Sequence, residues 1–552
     1  MSTASSTAPA SALRPFAPSY VARAIAFFSG ATGYAIKIAL LAAMNALAAW
    51  AVYVLISHSR WPAVGVLLFA TIAIDWVYLA PRRWTLPAKF LIPGTVFLIG
   101  FQLVPIVYTI NVAFSNYSTG HILSKQQAID TIKVNSLQPP PNGHQYDMAA
   151  ARDGSGNLVL ILHDETTGKV YVGTPKGLTP LPAGSVTLES GLPTAAKGYT
   201  LIKGAELFAL DQQLRTFRVP TTGDSSIQPQ GTQVAVDLAP TLRYDPATNT
   251  FTRISDGKIF RDNGRGSFVA GTGAAQEELE PGWNTHVGGR NFSRIIHDPQ
   301  VRTPFLSIFA WTFFFAAAVV FGSFAVGLFL AIALDKKGMF AQRTFRSILI
   351  IPYAIPGFLS LLVWAGLMND SFGVVNKLLG KLGIPAVPWL FGGQVFNWLP
   401  FISWPRIAVI LVSIWLTTPY FFLVSLGALQ SIPGELIEAA RVDGGSAWQV
   451  FRKVTLPLLL VAVAPLMIAS FAFNFNNFNN VYLLTNGGPY NSASSVAGNT
   501  DILISYTYKL AIASGKGNDY GLASAVGIII FFIVALISGI SFWRSKSLET
   551  MR

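Results

Sequence analysis

The chain contains no cysteine, so neither a disulfide nor a thiolate-bound metal can form. Only 12% of its 552 residues are charged and 52% are hydrophobic, whereas about 25% of the residues of a soluble protein are charged. The six histidines form no cluster with metal-ligand spacing, and no GxxxxGK[ST] phosphate-binding loop is present. The composition therefore indicates a membrane protein, and we expect this chain to bind no metal and no cofactor.

The net charge of +13 is carried beside the apolar segments. Residues 115–303 carry 17 acidic and 17 basic side chains, which leaves 22 basic against 9 acidic side chains in the rest of the chain. An excess of lysine and arginine beside apolar segments is typical of the cytoplasmic loops of membrane proteins. The charge therefore indicates membrane topology, and we expect no nucleic-acid partner.

Eight apolar segments are long enough to cross a membrane. At about 1.5 Å rise per residue, a helix of roughly 20–25 residues spans a hydrocarbon core of about 30 Å. We predict an α-helical polytopic membrane protein with about eight transmembrane helices and a β-rich extracytoplasmic domain inserted after the third helix. The predicted spans are 34–57, 62–80, 90–114, 305–334, 347–368, 407–429, 456–484 and 520–543.

The loops predict the orientation of these spans. Lysine and arginine cluster after spans two, four, six and eight, and such loops stay in the cytoplasm. We therefore expect both termini in the cytoplasm and the insert outside. The predicted parts are a cytoplasmic leader (1–33), three membrane helices (34–114), an extracytoplasmic domain (115–303), a core with five membrane helices (304–545) and a cytoplasmic tail (546–552). The clusters are Arg82, Arg83 and Lys89, then Lys336, Lys337, Arg343 and Arg346, then Arg441, Arg452 and Lys453, then Arg544, Lys546 and Arg552.

The insert has the pattern of a soluble domain. Short alternating stretches at 157–163, 169–173 and 200–203 are separated by turn sequences such as DGSG, NGRG and SDG. This pattern is typical of hairpins and β-sandwiches. The insert could be a protective cap or an arm that docks an extracytoplasmic protein, and the residues alone favour neither.

The loop 431–457 lies between two apolar segments and has a helix–turn–helix pattern. Start signals at Ser431 and Pro433 and a Gly-Gly stop at 444–445 predict a first short helix. A second amphipathic helix follows, and Pro457 opens the next span. We predict that the loop docks a cytoplasmic protein; the alternative is an ordinary surface hairpin.

Three core spans contain polar or helix-breaking residues. Span five contains IPYAIPG at 351–357, span six contains WLTTPY at 415–420, and span seven contains SFAFNFNNFNN at 470–480. A packing kink would explain span five alone, and helix–helix hydrogen bonding would explain span seven alone. The three together favour a wet cavity at membrane depth.

Span seven has the composition of a sugar-binding surface. Ser470, Phe473, Asn474 and Asn477 recur at helical spacing, so we predict that they share one face. Aromatic rings cover the C–H faces of a sugar, and amides both donate to and accept from its hydroxyls.

The loop also resembles the EAA loop of ABC importer permeases, because Glu438-Ala439-Ala440, Gly444, a valine and Leu456-Pro457 occupy the consensus positions. The likeness extends through most of the chain. It includes AFSNYS at 113–118, PFLSIFAWT at 304–312, IPYAIPGF at 351–358, PLMIASFAFNFNNF at 465–478 and LLTNGGP at 483–489. With these motifs the chain resembles the larger permease subunits of maltose/maltodextrin ABC importers, the MalF type.

The resemblance implies a permease subunit of the bacterial cell membrane that imports an α-glucoside by ATP-driven alternating access and has no enzymatic activity. Its expected partners are a smaller permease subunit, two ATPase subunits that bind ATP and Mg, an extracytoplasmic sugar-binding protein and membrane lipid. The insert is then expected to dock the binding protein. The residues expected to dock the ATPase are Glu438, Ala439, Ala440, Asp443, Gly444, Leu456 and Pro457.

The family's sugar site carries over with four departures. Gly357 stands for serine, Ser413 for asparagine, Thr417 for glycine and Asn479 for valine in the best-known member. Thr417 adds a β-branched side chain where a sugar ring would approach the backbone. The matching residues are Tyr353, Leu416, Tyr420, Ser470, Phe473, Asn474 and Asn477.

These departures leave the sugar open between maltose or maltodextrin, our first expectation, and trehalose or another neutral disaccharide. A glycerol-phosphate importer would need Arg or Lys near the site to pair the anion, and the site-bearing faces carry none. A membrane-embedded enzyme would need several titratable groups, whereas the spans offer almost none besides Asp75.

Overall fold

The computed structural model describes residues 30–80, 85–336, 338–395, 401–492, 495–513 and 518–549. The chain divides into two compact units, Met1–Tyr108 and Thr109–Arg552. Most of the leader lies outside the described residues, and so do Arg82, Arg83, Lys337 and Arg552.

Long apolar helices make up the first unit and confirm the first three predicted spans. They are α1 (Ala31–Ser57), α2 (Trp61–Leu79) and α3 (Leu86–Ala113), the last of which continues into the second unit. The Asn45 amide on α1 donates to Asp75 Oδ1 on α2 at 3.0 Å. Because an ionisable group at membrane depth needs a partner, Asp75 serves to join two helices.

A β-rich domain follows α3, as predicted. It opens with α4 (Lys125–Asn135), which is capped reciprocally by Ser124 and Gln127. The first antiparallel sheet has the order β5-β4-β3-β2-β11-β10-β9, with β1 paired to β11 and β8 paired to β2. Its strands are β1 (Leu137–Gln138), β2 (Gln145–Arg152), β3 (Leu158–Asp164), β4 (Val170–Thr174), β5 (Gly177–Pro180), β8 (Thr200–Leu201), β9 (Val219–Pro220), β10 (Ser226–Pro229) and β11 (Val234–Pro240).

Smaller elements complete this domain. A separate hairpin pairs β6 (Val186–Glu189) with β7 (Leu192–Ala196), and two short helices, α5 (Ala205–Ala209) and α6 (Asp211–Thr216), lie between β8 and β9. The second antiparallel sheet runs in chain order through β12 (Leu242–Asp245), β13 (Thr250–Arg253), β14 (Ile259–Asp262), β15 (Phe268–Ala270) and β16 (Glu277–Leu279).

Each sheet has its own core. Leu160 and Leu162 of β3 pack on one face with Leu214 of α6, whereas Ile161 packs on the other face with residues of the β6–β7 hairpin. The alternation follows from the two-residue period of a strand. The second sheet packs three phenylalanines against α4. The β-sandwich suggested by the sequence pattern therefore does not form, because helices and a hairpin cover the sheet faces instead of a second sheet.

The remaining helices of the second unit bring the described helices that can cross a membrane to seven, or to eight when the bent pair α9–α10 counts as one span. This agrees with the predicted number. All the remaining helices, short and long, are in chain order α7 (Arg290–His297), α8 (Pro299–Leu334), α9 (Gln342–Ala354), α10 (Gly357–Leu367), α11 (Val374–Lys381), α12 (Trp404–Ser431), α13 (Gly434–Val442), α14 (Ala447–Phe475), α15 (Phe478–Thr485), α16 (Leu503–Tyr508) and α17 (Tyr520–Glu549).

Span seven differs from its predicted limits of 456–484. Its helix α14 begins at Ala447, where Ser446 and Gln449 form a capping box, and it ends at Phe475. A π-helical turn at Phe451–Thr455 precedes Pro457, so the helix continues through the proline that was expected to start it. In this turn the Leu456 N–H bonds the Phe451 carbonyl five residues before it, and Pro457, which has no N–H, follows directly.

The β-rich domain is joined to the membrane helices at both of its ends. Asn291 of α7 donates to the carbonyls of Ala113 and Ser115 at 2.9 and 2.8 Å. Arg294 of the same helix pairs with Asp519, just before α17, at 2.7 Å. These bonds tie the start and the end of the insert to the segment that opens the last span.

Candidate functional site

A cavity of about 660 Å³ lies where α9, α10, α12, α14 and α15 meet. Nine of the eleven residues predicted to bind sugar line it, and the other two, Ser413 and Asn474, are fully buried. The nine are Tyr353, Gly357, Leu416, Thr417, Tyr420, Ser470, Phe473, Asn477 and Asn479. The remaining lining residues are Pro352, Ile355, Phe358, Leu361, Ala469 and Asn480.

The bend between α9 and α10 forms one wall. The two helices meet at 94°, and Ile355 and Pro356 between them have extended backbone angles. Proline has no N–H to donate and disfavours helical geometry at the residue before it. This is the break predicted for span five, and it places Tyr353 and Gly357 on either side of the bend.

The interruption predicted for span six does not occur. α12 runs unbroken through Pro419, and the Thr418 hydroxyl donates to the Ile414 carbonyl at 2.8 Å. Membrane helices tolerate an internal proline, so Pro419 does not by itself break α12. Because the helix stays regular, Leu416, Thr417 and Tyr420 reach the cavity from one surface of α12.

The end of α14 places a buried amide next to the cavity. Asn474 Nδ2 donates to the Ser470 carbonyl at 2.9 Å and lies 3.3 Å from the Ser470 hydroxyl. Asn474 Oδ1 is buried and has no hydrogen-bond partner among the described residues. An unpaired buried acceptor costs free energy, and this one lies directly behind Ser470, which lines the cavity.

The single polar face predicted from Ser470 to Asn477 is wrong at its last member. The helix ends at Phe475, and Asn477 is the N-cap of α15, where its Oδ1 accepts from the Asn480 backbone N–H at 3.4 Å. Asparagine side chains compete with the helix for backbone hydrogen bonds and favour caps. A run of asparagines therefore stops one helix and starts another.

Asn480 is a lining residue that the sequence reasoning missed. It is 6% exposed, and its Nδ2 donates to Ser413 Oγ on α12 at 2.9 Å. The sequence offered one signal for Asn480, its spacing of three residues from Asn477. That spacing indicates an N-cap pair only if α15 is already known to be a separate helix.

The cavity wall combines rings with uncharged polar groups. No charged side chain occurs among the described residues that line it. Tyr353, Phe358, Tyr420 and Phe473 present aromatic surface, while Thr417 and Ser470 add hydroxyls to the asparagine amides. Such a wall fits a neutral ligand with many hydroxyl groups, because amides and hydroxyls both donate and accept. In the described part of the chain, no three His, Asp or Glu residues come together as a metal site.

A second candidate surface is the exposed loop between α12 and α14. Gly444 has φ +83° and ends α13 in the left-handed conformation that favours glycine. Large apolar side chains are exposed around it, Val442 at 87% and Trp448 at 66%. These exposed side chains lie in the loop that was predicted to dock a cytoplasmic protein.

The predicted docking residues are distributed along this loop. Glu438, Ala439, Asp443 and Gly444 are exposed, and Ala440 is half-buried. Two details of the expected pattern are wrong. Ser431 is the last residue of α12 instead of a start signal. The predicted second short helix is the beginning of α14, so that Leu456 and Pro457 lie inside that longer helix.

Comparison with known proteins finds two family profiles. The profile for the N-terminal of TM subunit in PBP-dependent ABC transporters matches residues 96–176, and that for the binding-protein-dependent transport system inner membrane component matches residues 323–547. The crystal structure of a bacterial ABC transporter involved in the import of the acidic polysaccharide alginate contains a chain that is 22% identical, with a TM-score of 0.39, over 47% of this chain and 84% of that one.

Whole-length relatives are similar over most of the sequence. The maltose/maltodextrin transport system permease protein MalF of Escherichia coli (strain K12) is 34% identical over 476 residues, which cover 84% of this chain and 87% of that protein. MalF of Vibrio vulnificus (strain YJ016) is 31% identical over 520 residues, which cover 91% of this chain and 93% of that protein.

Proposed function

The chain belongs to the MalF family of maltose/maltodextrin transport permeases, and on this premise we propose that it imports maltose and maltodextrins through the cavity between α9 and α15. It is a multi-pass inner-membrane protein and a transport subunit of an ABC importer, not an enzyme.

The uncharged wall of the cavity is the observation that carries this proposal. A phosphorylated solute would need a cation beside it, and the lining residues supply none. The names of the relatives favour the maltose series over trehalose. A volume of about 660 Å³ is in the range of a pocket that holds a small ligand.

We assign the sugar contacts to the lining residues and to the two buried ones next to them. The aromatic rings cover the C–H faces, and the amides with Thr417 and Ser470 bind hydroxyls. Asn474 Oδ1 accepts from a sugar hydroxyl in the loaded state, which gives this buried acceptor the partner it lacks. Ser413 does not line the cavity; it orients Asn480, whose amide donates to the Ser413 hydroxyl.

The importer contains further subunits. This chain pairs with a smaller permease, and two ATPase subunits, which bind ATP and Mg, supply the energy. One ATPase subunit docks on the loop around α13. It contacts exposed Glu438, and the exposed side chains of Val442 and Trp448 add apolar area to the same interface. Closure of the ATPase pair is transmitted to the membrane through α14, which begins in this loop at Ala447 and continues without a break to Phe475. The cavity opens outward, receives sugar and then resets inward.

The β-rich domain is the extracytoplasmic arm that docks the sugar-binding protein. The excess of basic residues beside the membrane spans supports this orientation and a cytoplasmic location of both termini. Asn291 joins the two ends of the arm, and the Arg294–Asp519 pair holds it against the start of α17, so that docking acts on a firmly attached domain.

The test is ATP-dependent uptake in proteoliposomes that contain the complete importer, with labelled maltose, maltotriose and trehalose in competition. We expect preference for the maltose series. Preference for trehalose would keep the importer assignment and reject the sugar, and uptake of none would reject the α-glucoside assignment.

The variant Asn474→Leu tests the cavity itself. Leucine fills a similar volume without the amide, so we expect uptake to fall severely while the purified complex keeps its subunits. Loss of assembly instead would show that Asn474 serves helix packing.

A further inference from the structure

Asn480 differs from the other polar residues of the cavity wall. It belongs to neither the sugar-site residues carried over from the family nor the polar face predicted for span seven. Yet it lines the cavity and is 6% exposed, so its amide is held at one place in the wall.

A residue from another helix orients this amide. Ser413 on α12 is fully buried, and its hydroxyl accepts from Asn480 Nδ2 at 2.9 Å. Ser413 lies one helical turn before Thr417, which itself lines the cavity. The bond therefore joins α12 to the first turn of α15 at the edge of the cavity.

The amide keeps hydrogen-bonding capacity beyond this bond. A carboxamide has two N–H donors and an oxygen with two lone pairs. Among the described residues, the side chain of Asn480 makes only the bond to Ser413. A buried amide with unused capacity is costly unless a partner arrives, and the space in front of this one is the cavity.

We propose that Asn480 is a specificity-determining residue that hydrogen-bonds a ring hydroxyl of the transported glucoside, with Ser413 as its positioning residue. This inference rests on the proposed function. Ser413 stands where the family resemblance places asparagine, so the amide at this edge comes from α15 in this chain instead of from α12. The wall then recognises a particular hydroxyl, and a sugar without it is transported more slowly.

Uptake of maltose and of a monodeoxymaltose series into proteoliposomes that hold the complete importer, at saturating binding protein, tests this proposal. One net hydrogen bond changes a rate by about fivefold. In the unaltered importer we expect one deoxy position to lower uptake by about that factor. In Asn480→Leu we expect maltose uptake to fall by about fivefold and the same deoxy sugar to show no further loss.

Two further variants separate recognition from folding. Ser413→Ala removes the orienting bond and should weaken discrimination at the same deoxy position, even if Asn480→Leu fails to assemble. Thr418→Val is the matched control, because its hydroxyl bonds the Ile414 carbonyl and does not line the cavity; it should keep full discrimination.

The outcomes are distinguishable. If the unaltered importer transports no maltodextrin, the proposed function fails. If it does, and both Asn480→Leu and Ser413→Ala discriminate among the deoxy sugars as the unaltered importer does, the role of Asn480 is rejected. An equal loss for every sugar in both variants would make the Ser413–Asn480 bond structural and would also reject it.

Discussion

Replacing Lys509 by methionine tests a buried ion pair that holds the segment after α15. Lys509 Nζ lies 2.7 and 2.8 Å from the two carboxylate oxygens of Asp501, and the two side chains are 5% and 0% exposed. The ammonium also donates to the Asn486 carbonyl at 2.8 Å and to the Tyr490 hydroxyl at 2.6 Å. The pair therefore joins the C-terminal end of α15 to α16.

The magnitude follows from what the variant leaves behind. Without Lys509, the donors left to the Asp501 carboxylate among the described residues are the Gly498 N–H at 2.7 Å and the Ser505 hydroxyl at 2.8 Å. Removing one partner of a buried ion pair costs about 3–5 kcal/mol, because the other charge stays in a poorly solvated place. We therefore expect local opening of this segment to become about 10²–10⁴ times more frequent.

The assay is hydrogen exchange of the backbone amides of α15 and the following loop, measured by mass spectrometry on the purified complex. Lys509→Met should raise exchange there, and the double variant with Asp501→Asn should recover much of the protection, because it leaves no buried charge. Arg215→Met is the matched control, since its i,i+4 pair with Asp211 is exposed and such pairs contribute only about 0.3–0.5 kcal/mol. Unchanged exchange around α15 in Lys509→Met would refute the reasoning.

Two further predictions concern the loop and the β-rich domain. Gly444→Val places a β-branched residue at φ +83°, so we expect ATP hydrolysis stimulated by the binding protein to be uncoupled from uptake. Gly434→Ala is the control and should keep coupling, because position 434 has open space around it and an ordinary φ. Full coupling in Gly444→Val would contradict the docking role. Burial alone would raise the pKa of Asp164, but hydrogen bonds from the Thr167 hydroxyl and from the Thr166 and Thr167 backbone N–H groups, with the His144 ring 3.0 Å from Oδ2, hold it below its ordinary value. A lowered pKa contributes stability that is present above the unfolded value of about 3.9 and is lost as the pH falls through the folded value. The unfolding temperature of the purified chain should therefore fall less steeply with decreasing pH in Asp164→Asn than in the unaltered chain. The same steepness in both would refute this prediction.

Local patterns in the sequence predicted most of the fold. Helix length and apolar composition predicted most of the spans within a few residues, because a membrane helix must satisfy its backbone within its own segment. Span seven, which runs from Ala447 to Phe475, was the main exception. Pro352 and Pro356 predicted the bend in span five for an equally local reason. The turn-rich insert was recognised as β-rich from its two-residue alternation, although its division into two separate cores was not.

Most of the cavity residues were also accessible from the sequence, through the resemblance and the polar composition of spans five to seven. The misplacements were local conflicts that tertiary packing resolved. Pro419 lies in an unbroken helix, and the asparagines after Phe475 end one helix and cap the next. Which of these competing tendencies prevails depends on neighbours that the sequence does not place.

The sequence by itself determined the membrane class, the spans, the inserted domain and the uncharged chemistry of the site, since composition and short-range periodicity carry that information. Only the tertiary structure decided that Ser413 meets Asn480, that Asn474 Oδ1 has no partner among the described residues, and that Lys509 meets both Asp501 and the Asn486 carbonyl. A hydrogen bond between α12 and α15 depends on how whole helices pack and rotate, and no local pattern in either segment specifies that geometry.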